Sequence, residues 1–498
     1  MREALEAWLG AAQSGCDDVA AARAAAEAVA GDPWAVIEQA GPLARARRAV
    51  AETDLGLTDK LRTVAVDSRH AVARVPRGAP FPLQDRRGQR GRGAFDTPRE
   101  LARRVVASGL RAAGGARLAS DPACGVGALL VALREAGVRE IRGTDLDPVA
   151  VEVARIADPL AEIRQADGLQ DARTVDLVVG NPPFVAPELQ RRALRARLLE
   201  RFPWLSGRFD LAVPFAAACV ERAERAVSLV LPSGVALQPY GEPLRRRWLQ
   251  RHRVVTLSGP EPFPGVGVEV IHVALAVGEG PSTLPSGVPA SEVLQLSTAA
   301  LDSSLEPGDV ALVEKIRRTS EEIGQHCLVD TGVVAHGPLG GKARLLRDAP
   351  GEGRVPFADA RDFFAGRHQW LQWLPEEMHR PKSQEMFVQP KIVVQRLRGR
   401  GAIRAAACRD GITVGHTCTV VQPRRDAVDL DGLVALIVDP LMDAVLRLER
   451  GQRLDLYPRD VASMPVPVRW WRGDERGLAA GWGLSDAEIE RLHRRLES

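Results

Sequence analysis

The sequence predicts an α/β protein built around a Rossmann-like domain with a parallel sheet. From about residue 95 to residue 280, apolar runs of strand length alternate with helical patterns, which is typical of such a sheet. Several of these runs end in an acidic residue or a glycine-rich turn, as in folds that bind ligands at the carboxyl edge of their strands. Together these observations predict a central ligand-binding domain.

The composition favours a soluble globular protein. The 498 residues include 45% hydrophobic and 26% charged residues, which is enough to build sizeable cores. No apolar run reaches the roughly 18 residues that a membrane span requires. The N-terminal MREALEAWLG also lacks the basic and then apolar pattern of a signal peptide. We therefore expect a cytoplasmic protein with no membrane partner.

The cysteines and the net charge narrow the functional classes. The six cysteines occur without CxxC pairs or histidines at zinc-finger spacing, so we expect reduced thiols and no metal site. The net charge is only +3. A nucleic-acid surface would therefore have to come from local clusters of basic residues.

Shifts in pattern divide the chain into regions. The N-terminal residues are Ala-rich and have helical spacing, as at Leu5, Trp8, Leu9 and Ala12. A Pro/Gly/Arg stretch at 75–93 predicts a flexible basic linker, and a Pro/Ser/Gly-rich stretch at 280–308 predicts a second boundary. The predicted domains are a helical extension at 1–85, the Rossmann-like domain at 86–290, and a domain of mixed or mostly β character at 305–498.

The first strand of the central domain ends in a motif that suits a cationic ligand. Leu118 to Asp121 precede the turn Pro-Ala-Cys-Gly-Val-Gly and a helical run. The glycines let the backbone pass close to a ligand. The Asp121 carboxylate would repel a pyrophosphate but suits the amine or sulfonium of S-adenosylmethionine. Alone, a turn with two glycines is equally compatible with a structural role.

The second and third strands also end in acidic residues. Asp145 lies about 20 residues after the glycine turn, where a carboxylate accepts hydrogen bonds from ribose hydroxyls; a solvated loop position is the alternative. Asp147-Pro148 predicts the cap and first turn of the next helix. Asp167 leaves the third strand at the same predicted edge, where its carboxylate is suited to an adenine amino group.

The fourth strand, Val175 to Val179, is followed by Gly180 and then Asn181-Pro182-Pro183-Phe184. Prolines end a strand because they cannot donate to the ladder, so a turn with a core aromatic is one interpretation. Four ligand-type motifs at successive strand ends favour an active site instead.

In these motifs the chain resembles the amino-group DNA methyltransferases, specifically the γ-class N6-adenine enzymes of restriction–modification systems. The likeness rests on Gly93-Ala94-Phe95-Asp96-Thr97-Pro98, DPACGVG, TDLDP, Asp167 and NPPF, and spans about 93–280. It implies a Rossmann-like S-adenosylmethionine-dependent methyltransferase domain followed by a target-recognition domain. The cofactor residues that it implies are Thr97, Asp121, Ala123, Gly125, Asp145, Leu146, Asp167, Gly168 and Pro183.

The resemblance also implies the catalytic group, Asn181, Pro182 and Phe184. The Asn181 side-chain oxygen and the Pro182 carbonyl would accept the two N–H groups of an exocyclic amine and free its lone pair for attack. Phe184 would stack on a flipped base. Phe263 resembles a second stacking aromatic, although a core role is the alternative. For Thr97, capping of the helix after Pro98 is a further interpretation.

The implied partner is double-stranded DNA. The segment Gln389 to Arg400, which includes Lys391, Arg396 and Arg398, resembles part of a target-recognition domain, as do Thr331-Gly332 and Ser463 to Pro467. Basic residues of that segment are expected to contact phosphates. So are the linker arginines Arg86, Arg87, Arg90 and Arg92.

No fused nuclease motif is present, so a stand-alone methyltransferase is expected. A restriction endonuclease encoded separately, or a subunit of a defence complex, is a candidate partner. Two alternatives stay open at this point: an RNA amino-group methyltransferase, and a catalytically silent DNA-binding subunit that kept the cofactor fold.

Overall fold

A computed structural model describes residues 4, 7–8, 11, 16–41, 96–263, 268–280, 283–335, 344–379, 382–397, 401–424, 428–451, 455–474 and 477–497. The chain divides into two compact units, residues 1–307 and 308–498. The predicted linker at 75–93, with Arg86, Arg87, Arg90 and Arg92, lies outside the described residues. None of the described helices is long and apolar enough to cross a membrane.

The first unit is built on a seven-stranded sheet with the order β3-β2-β1-β4-β5-β7-β6. Its strands are β1 (Leu118–Asp121), β2 (Glu140–Asp145), β3 (Glu162–Gln165), β4 (Val175–Gly180), β5 (Ala223–Pro232), β6 (Arg253–Pro262) and β7 (Glu269–Ala276). Neighbouring strands from β3 to β5 are parallel, whereas β7 is antiparallel to both β5 and β6. The predicted Rossmann-like methyltransferase fold is confirmed.

Helices precede, connect and follow the strands of this sheet. They are α1 (Asp18–Glu27), α2 (Pro33–Ala35), α3 (Arg99–Ala113), α4 (Ala128–Glu135), α5 (Pro148–Ala157), α6 (Arg192–Arg201), α7 (Ala212–Arg222), α8 (Ser233–Leu237), α9 (Glu242–Arg251) and α10 (Ala290–Val293). As predicted, Asp147 caps α5, since its Oδ1 accepts a hydrogen bond from the Val149 N–H at 3.1 Å.

The sheet brings the predicted ligand residues to one edge. In the parallel register Asp121 of β1 pairs with Gly143 of β2, and Ser120 pairs with Val178 of β4. The carboxyl ends of β1, β2 and β4 therefore lie side by side. Asp145 is the last residue of β2, and the loops that follow β1 and β4 carry the glycine turn and Asn181.

The described part of the N-terminal region packs on helices of the seven-stranded sheet. In α1, the Arg23 Nε atom lies 2.7 Å from Glu152 Oε1 of α5. Trp34 donates its indole N–H to Glu135 of α4 at 2.7 Å, and the Arg99 guanidinium lies 5.0 Å from the centroid of its ring. Residues 16–41 thus pack against α3, α4 and α5, the helices next to β1 and β2.

In the part of the chain that the structure describes, the second unit contains three sheets. One has the order β14-β13-β16-β9, another the order β10-β12-β11-β15, and β17 pairs with β8. Their strands are β8 (Ser320–Glu322), β9 (Cys327–Thr331), β10 (Leu346–Arg347), β11 (Arg354–Ala358), β12 (Gln369–Gln372), β13 (Lys391–Gln395), β14 (Ala405–Cys408), β15 (Thr413–Val414), β16 (Cys418–Pro423) and β17 (Pro465–Pro467). The four-stranded sheets share an apolar core that includes Phe357, Leu371, Phe387 and Val420.

Helices make the second unit mixed rather than mostly β. They are α11 (Asp309–Arg318), α12 (Ile323–His326), α13 (Ala360–Phe363), α14 (Glu385–Val388), α15 (Leu430–Val438), α16 (Pro440–Arg450), α17 (Pro458–Ala462), α18 (Val468–Trp471), α19 (Leu478–Trp482) and α20 (Asp486–Glu497). Ion pairs tie several of them together. Arg317 of α11 lies 2.5 Å from Glu449 of α16, and buried Asp309 pairs with Arg495 of α20.

Candidate active site

Asp121, at the end of β1, is a buried carboxylate. Only 2% of the residue is exposed, and its Oδ1 accepts a hydrogen bond from the Ala123 N–H at 3.0 Å. Burial, with a smaller contribution from the negative charge of Asp145, raises the pKa of Asp121 to about 7. A cationic ligand placed here would favour the ionised form of this group.

Asp145, at the end of β2, holds the glycine turn in place. Its Oδ2 accepts the Gly125 N–H at 2.8 Å, and its Oδ1 accepts the Asp147 N–H at 2.8 Å. Burial raises the pKa of this carboxyl group. Leu146, the next residue, exposes 67% of its surface at this edge, where it is available to an apolar face of a ligand.

The loop that carries Asp167 approaches the glycine turn very closely. The Asp167 carboxylate accepts hydrogen bonds from the Leu169 N–H at 3.0 Å and the Gln170 amide at 2.8 Å. A Cβ atom on Gly168 would lie 1.7 Å from the Pro122 carbonyl oxygen, so only glycine fits there. Buried Arg222 donates a hydrogen bond to the Gly168 carbonyl, which holds this loop in place.

Asn181 is fixed by the segment that precedes α3. Its Nδ2 donates a hydrogen bond to the Thr97 hydroxyl at 3.1 Å, and Thr97 is buried. The alternative role of Thr97 as a helix cap is wrong, because α3 has Pro98 at its N-cap position and no side chain caps it. Gly180, which precedes Asn181, lies close to the end of β1, because a Cβ atom on Gly180 would be 3.8 Å from Asp121 Oδ1.

The two predicted stacking aromatics lie against each other. The ring centroids of Phe184 and Phe263 are 6.3 Å apart with an interplanar angle of 83°, an edge-to-face arrangement that aromatic pairs favour. Both side chains are buried, as is Pro182, whereas Pro183 is partly exposed. Phe263 follows β6 directly, and its N–H donates to Val268 at 2.9 Å.

Three groups hold Val185, the residue that follows the NPPF motif, by its backbone. Its carbonyl accepts hydrogen bonds from the Leu211 N–H at 3.1 Å and from the Gln190 amide at 3.0 Å. Its N–H donates to the Asp210 carboxylate, whose pKa is raised to about 6 by burial. Gln190 also donates to the Phe209 carbonyl at 2.7 Å. No local pattern in the sequence predicts this clamp on Val185.

The electrostatic character of this edge fits the expected cofactor. Asp121, Asp145 and Asp167 lie near one another, and none of them forms an ion pair with any residue that the structure describes. Such an arrangement suits a ligand that carries positive charge and hydroxyl and amino donors. S-adenosyl-L-methionine has all three. Of the nine predicted cofactor residues, seven lie at the ends of β1 and β2 or in the loops after β1, β2 and β3, whereas Thr97 precedes α3 and Pro183 follows β4.

Two of the basic residues predicted to meet phosphates in the second unit make contacts within the fold. Lys391 is buried, and its Nζ donates to the Phe387 carbonyl at 2.5 Å. Arg396 lies with its guanidinium 4.3 Å from the Tyr457 ring centroid and donates to the His416 carbonyl at 3.2 Å. Both cations are therefore used within the fold. Arg398 and Arg400 lie outside the described residues.

The other two motifs of the second unit have structural roles. Gly332 follows β9 and approaches the backbone closely, since a Cβ there would lie 2.2 Å from the Gly415 carbonyl oxygen. Pro465 to Pro467 form β17, which pairs with β8, and Met464 is fully buried.

Solved structures that are similar to the chain share low sequence identity with it. One of them is a protein from Listeria monocytogenes that is described as a class I S-adenosylmethionine-dependent methyltransferase. It is 16% identical to this chain, and the TM-score is 0.33 over 40% of this chain and 65% of the Listeria chain. The Type IIL restriction-modification enzyme MmeI, solved in complex with DNA, is 13% identical, with a TM-score of 0.48 over 80% of this chain and 71% of its own.

A third similar structure is the methyltransferase subunit of a type I restriction-modification system from Streptococcus thermophilus. It is 18% identical, with a TM-score of 0.32 over 37% of this chain and 45% of its own. The chain thus spans just under two thirds of the Listeria protein and less than half of the Streptococcus one. At such identities these likenesses concern the fold alone.

The sequence comparisons add one family. No curated protein matches the chain. Residues 101–204, from α3 to the loop after α6, match the methyltransferase small domain. The match supports a methyltransferase-type domain in this part of the chain, with S-adenosyl-L-methionine as its cofactor.

Proposed function

We propose that the chain is a site-specific DNA adenine N6-methyltransferase, and that it is the modification part of a restriction–modification or phage-defence system. The observation that carries the proposal is the placement of Asn181. It follows β4 beside the buried Asp121 of β1, and Thr97 fixes its amide. An amine acceptor thus lies next to the predicted cofactor edge.

S-adenosyl-L-methionine would supply an activated methyl group on a sulfonium centre. The residues of the chain would position it. Asp121 offers a buried carboxylate to the cationic part, Asp145 offers acceptors to the ribose, and Asp167 offers one to the adenine amine. The close approach at Gly168 would bring the loops after β1 and β3 against the same ligand.

Asn181 and Pro182 would activate the substrate amine. The lone pair of an exocyclic amine is delocalised into the base, so the nitrogen is a poor nucleophile. Hydrogen bonds from its two N–H groups to the Asn181 side-chain oxygen and the Pro182 carbonyl favour a tetrahedral nitrogen. Because Thr97 holds the amide and Gln190 and Asp210 hold the end of the motif, both acceptors are preorganised.

Phe184 would hold the base in place. A base that is chemically modified has to leave the stack, and an aromatic face compensates for the lost stacking. Phe263 supports the Phe184 ring by its edge-to-face contact. The choice of adenine, rather than cytosine, rests on the resemblance to the γ-class enzymes.

The size of the second unit, residues 308–498, favours a macromolecular substrate. Its mixed sheets and helices form a domain as large as many complete proteins, which a small-molecule methyltransferase does not need. We assign it to recognition of the DNA sequence.

The test is a transfer assay with the purified full chain and labelled S-adenosyl-L-methionine. Duplex DNA, structured RNA and a protein mixture are offered separately. We expect label in duplex DNA, its loss in Asn181→Ala, and a dissociation constant for the cofactor that this variant leaves nearly unchanged. Label in RNA alone would replace the proposal with RNA methylation. Tight DNA binding without transfer would replace it with a silent binding subunit.

A further inference from the structure

The helix that follows the NPPF motif is unusually basic. Residues 188–208 contain six arginines and two glutamates, and five of the arginines fall in or next to α6. Only Leu198 of this helix is buried. The helix therefore contributes little to the core, and most of its surface is polar and positively charged.

Some of these arginines have partners within the protein. Arg201 lies 2.7 Å from Glu221 and donates to the Leu169 carbonyl. Arg208 pairs with Glu188. Arg195 donates to the Gly207 carbonyl and lies 5.7 Å from the Phe209 ring centroid. These contacts account for the arginines at 195, 201 and 208.

Arg191, Arg192 and Arg197 are different. All three are exposed and form no ion pair with the described residues. Within α6, Arg192 and Arg195 are like charges three residues apart, an arrangement that destabilises a helix. The stability of the helix alone gives no reason for this cluster.

The cluster lies beside the catalytic loop. Gln190, which immediately precedes Arg191, donates to the Val185 carbonyl at 3.0 Å, and Val185 adjoins Phe184. Gln190 also bonds the Phe209 carbonyl, and the ring of Phe209 faces Arg195. The first of these hydrogen bonds thus fastens the residue before Arg191 to the end of the NPPF loop, and the second fastens it to the segment before α7.

We propose that Arg191, Arg192 and Arg197 form a contact surface for the phosphate backbone of DNA next to the target base. The inference rests on the proposed function and deepens it, since it assigns the phosphate contacts of the methyltransferase domain. Guanidinium groups bind phosphate oxygens through several N–H donors. Contacts of this kind position a duplex without selecting its sequence.

The measurable consequence is salt dependence. Each phosphate contact contributes about 0.9 to the slope of the logarithm of the binding constant against the logarithm of the salt concentration. Removing two contacts is expected to lower the magnitude of that slope by nearly 2, by the same relation. The loss in affinity is expected to be similar for all DNA sequences.

The experiment uses the full chain and a labelled duplex of mixed sequence, titrated between about 50 and 200 mM salt. The test variant is Arg191→Gln with Arg192→Gln, to which Arg197→Gln is then added. The matched control is Arg139→Gln with Arg251→Gln. Those two arginines are also exposed, and they precede β2 and β6, at the opposite edge of the sheet. Cofactor affinity and melting temperature are measured for every variant.

We expect a smaller salt slope in the test variant, a further decrease with Arg197→Gln, and the wild-type slope in the control. An unchanged slope in the test variant, or an equal decrease in the control, would overturn the inference while leaving the proposed function intact. A wild-type chain that binds no duplex DNA would overturn both. A slope that changes only with single-stranded RNA would overturn the assignment to DNA.

Discussion

The Asn181 amide and the Thr97 hydroxyl are joined by a hydrogen bond of 3.1 Å, although they lie 84 residues apart in the chain. Because Nδ2 donates to Thr97, the plane of the amide is set, and Oδ1 points to the other side. Oδ1 is the acceptor that the proposed reaction requires. Thr97 therefore links the motif before α3 to the chemistry at the end of β4.

Thr97→Val, which keeps the shape but removes the hydroxyl, is expected to lower kcat about fivefold, since one such hydrogen bond is worth roughly 1 kcal/mol. Thr97→Ser keeps the hydroxyl and should retain most of the activity. Steady-state kinetics and cofactor titration of both variants check this. If Thr97 acted only on the cofactor, Thr97→Val would weaken cofactor binding and leave kcat unchanged.

The sequence predicted the strand-end residues because each follows an apolar run at a recognisable spacing. Asp121, Asp145 and Asn181 all lie where the alternation of strands and helices puts them. The contact between Thr97 and Asn181 could not be predicted from the sequence, because no local sequence pattern relates two residues that lie so far apart in the chain.

The interpretation of Lys391 failed for another physical reason. A lysine at the start of an apolar strand is expected to be a surface cation. In the structure its side chain is buried, and its ammonium group donates a hydrogen bond to the Phe387 carbonyl. The clamp on Val185 depends on backbone groups and one loop amide, Gln190, and such contacts leave no periodic pattern in a sequence.

Cofactor binding is expected to weaken at low pH because of Asp121. Its pKa is raised to about 7 in the free protein, and a cationic ligand favours the carboxylate. Below that pH a proton must be released on binding, so the dissociation constant should rise by up to tenfold for each pH unit. Calorimetry between about pH 6 and pH 8 measures this. Asp121→Asn should bind weakly and lose most of the pH dependence; an identical pH profile in that variant would assign the effect elsewhere.

Gly168→Ala is expected to weaken cofactor binding strongly. The new Cβ would lie 1.7 Å from the Pro122 carbonyl oxygen, so the loops after β1 and β3 must separate. Gly31→Ala is the matched control, because a Cβ there meets no atom within 4 Å. Calorimetry and melting temperatures are compared for both. Wild-type cofactor affinity in Gly168→Ala would show that the two loops do not flank the ligand.

Gln190→Glu is expected to lower kcat several-fold with little effect on cofactor affinity. The substitution removes both N–H donors and turns a carboxylate toward the Val185 and Phe209 carbonyls, which loosens the end of the NPPF loop. Gln295→Glu, an exposed position with the same change of charge, serves as the control. Equal kcat values for the two variants would mean that the clamp has no influence on the reaction.

His272 is expected to make the first unit less stable in acid. It is buried against Ser228 at 3.0 Å, and burial lowers its pKa from 6.5 to about 4. The unfolded chain then binds more protons than the folded one below pH 6.5, so this contribution is complete above that pH and is lost as the pH falls toward 4.

His272→Gln should isolate this contribution, since Asp121 and Asp210 titrate in both proteins. Between about pH 7 and pH 5, the free energy of unfolding should fall by roughly 2 kcal/mol more in the wild type than in the variant. Urea unfolding at both pH values measures the difference. Parallel pH profiles would mean that the imidazole is not protonated on unfolding.

The central claim is transfer of a methyl group to adenine N6 in DNA by the Asn181 site. Its most direct test is long-read sequencing of DNA from a methylation-free host that expresses the chain, beside a host that expresses Asn181→Ala. The account predicts N6-methyladenine at one recurring sequence motif with the wild type and none with the variant. Unmodified DNA in both hosts, or equal methylation in both, would contradict it.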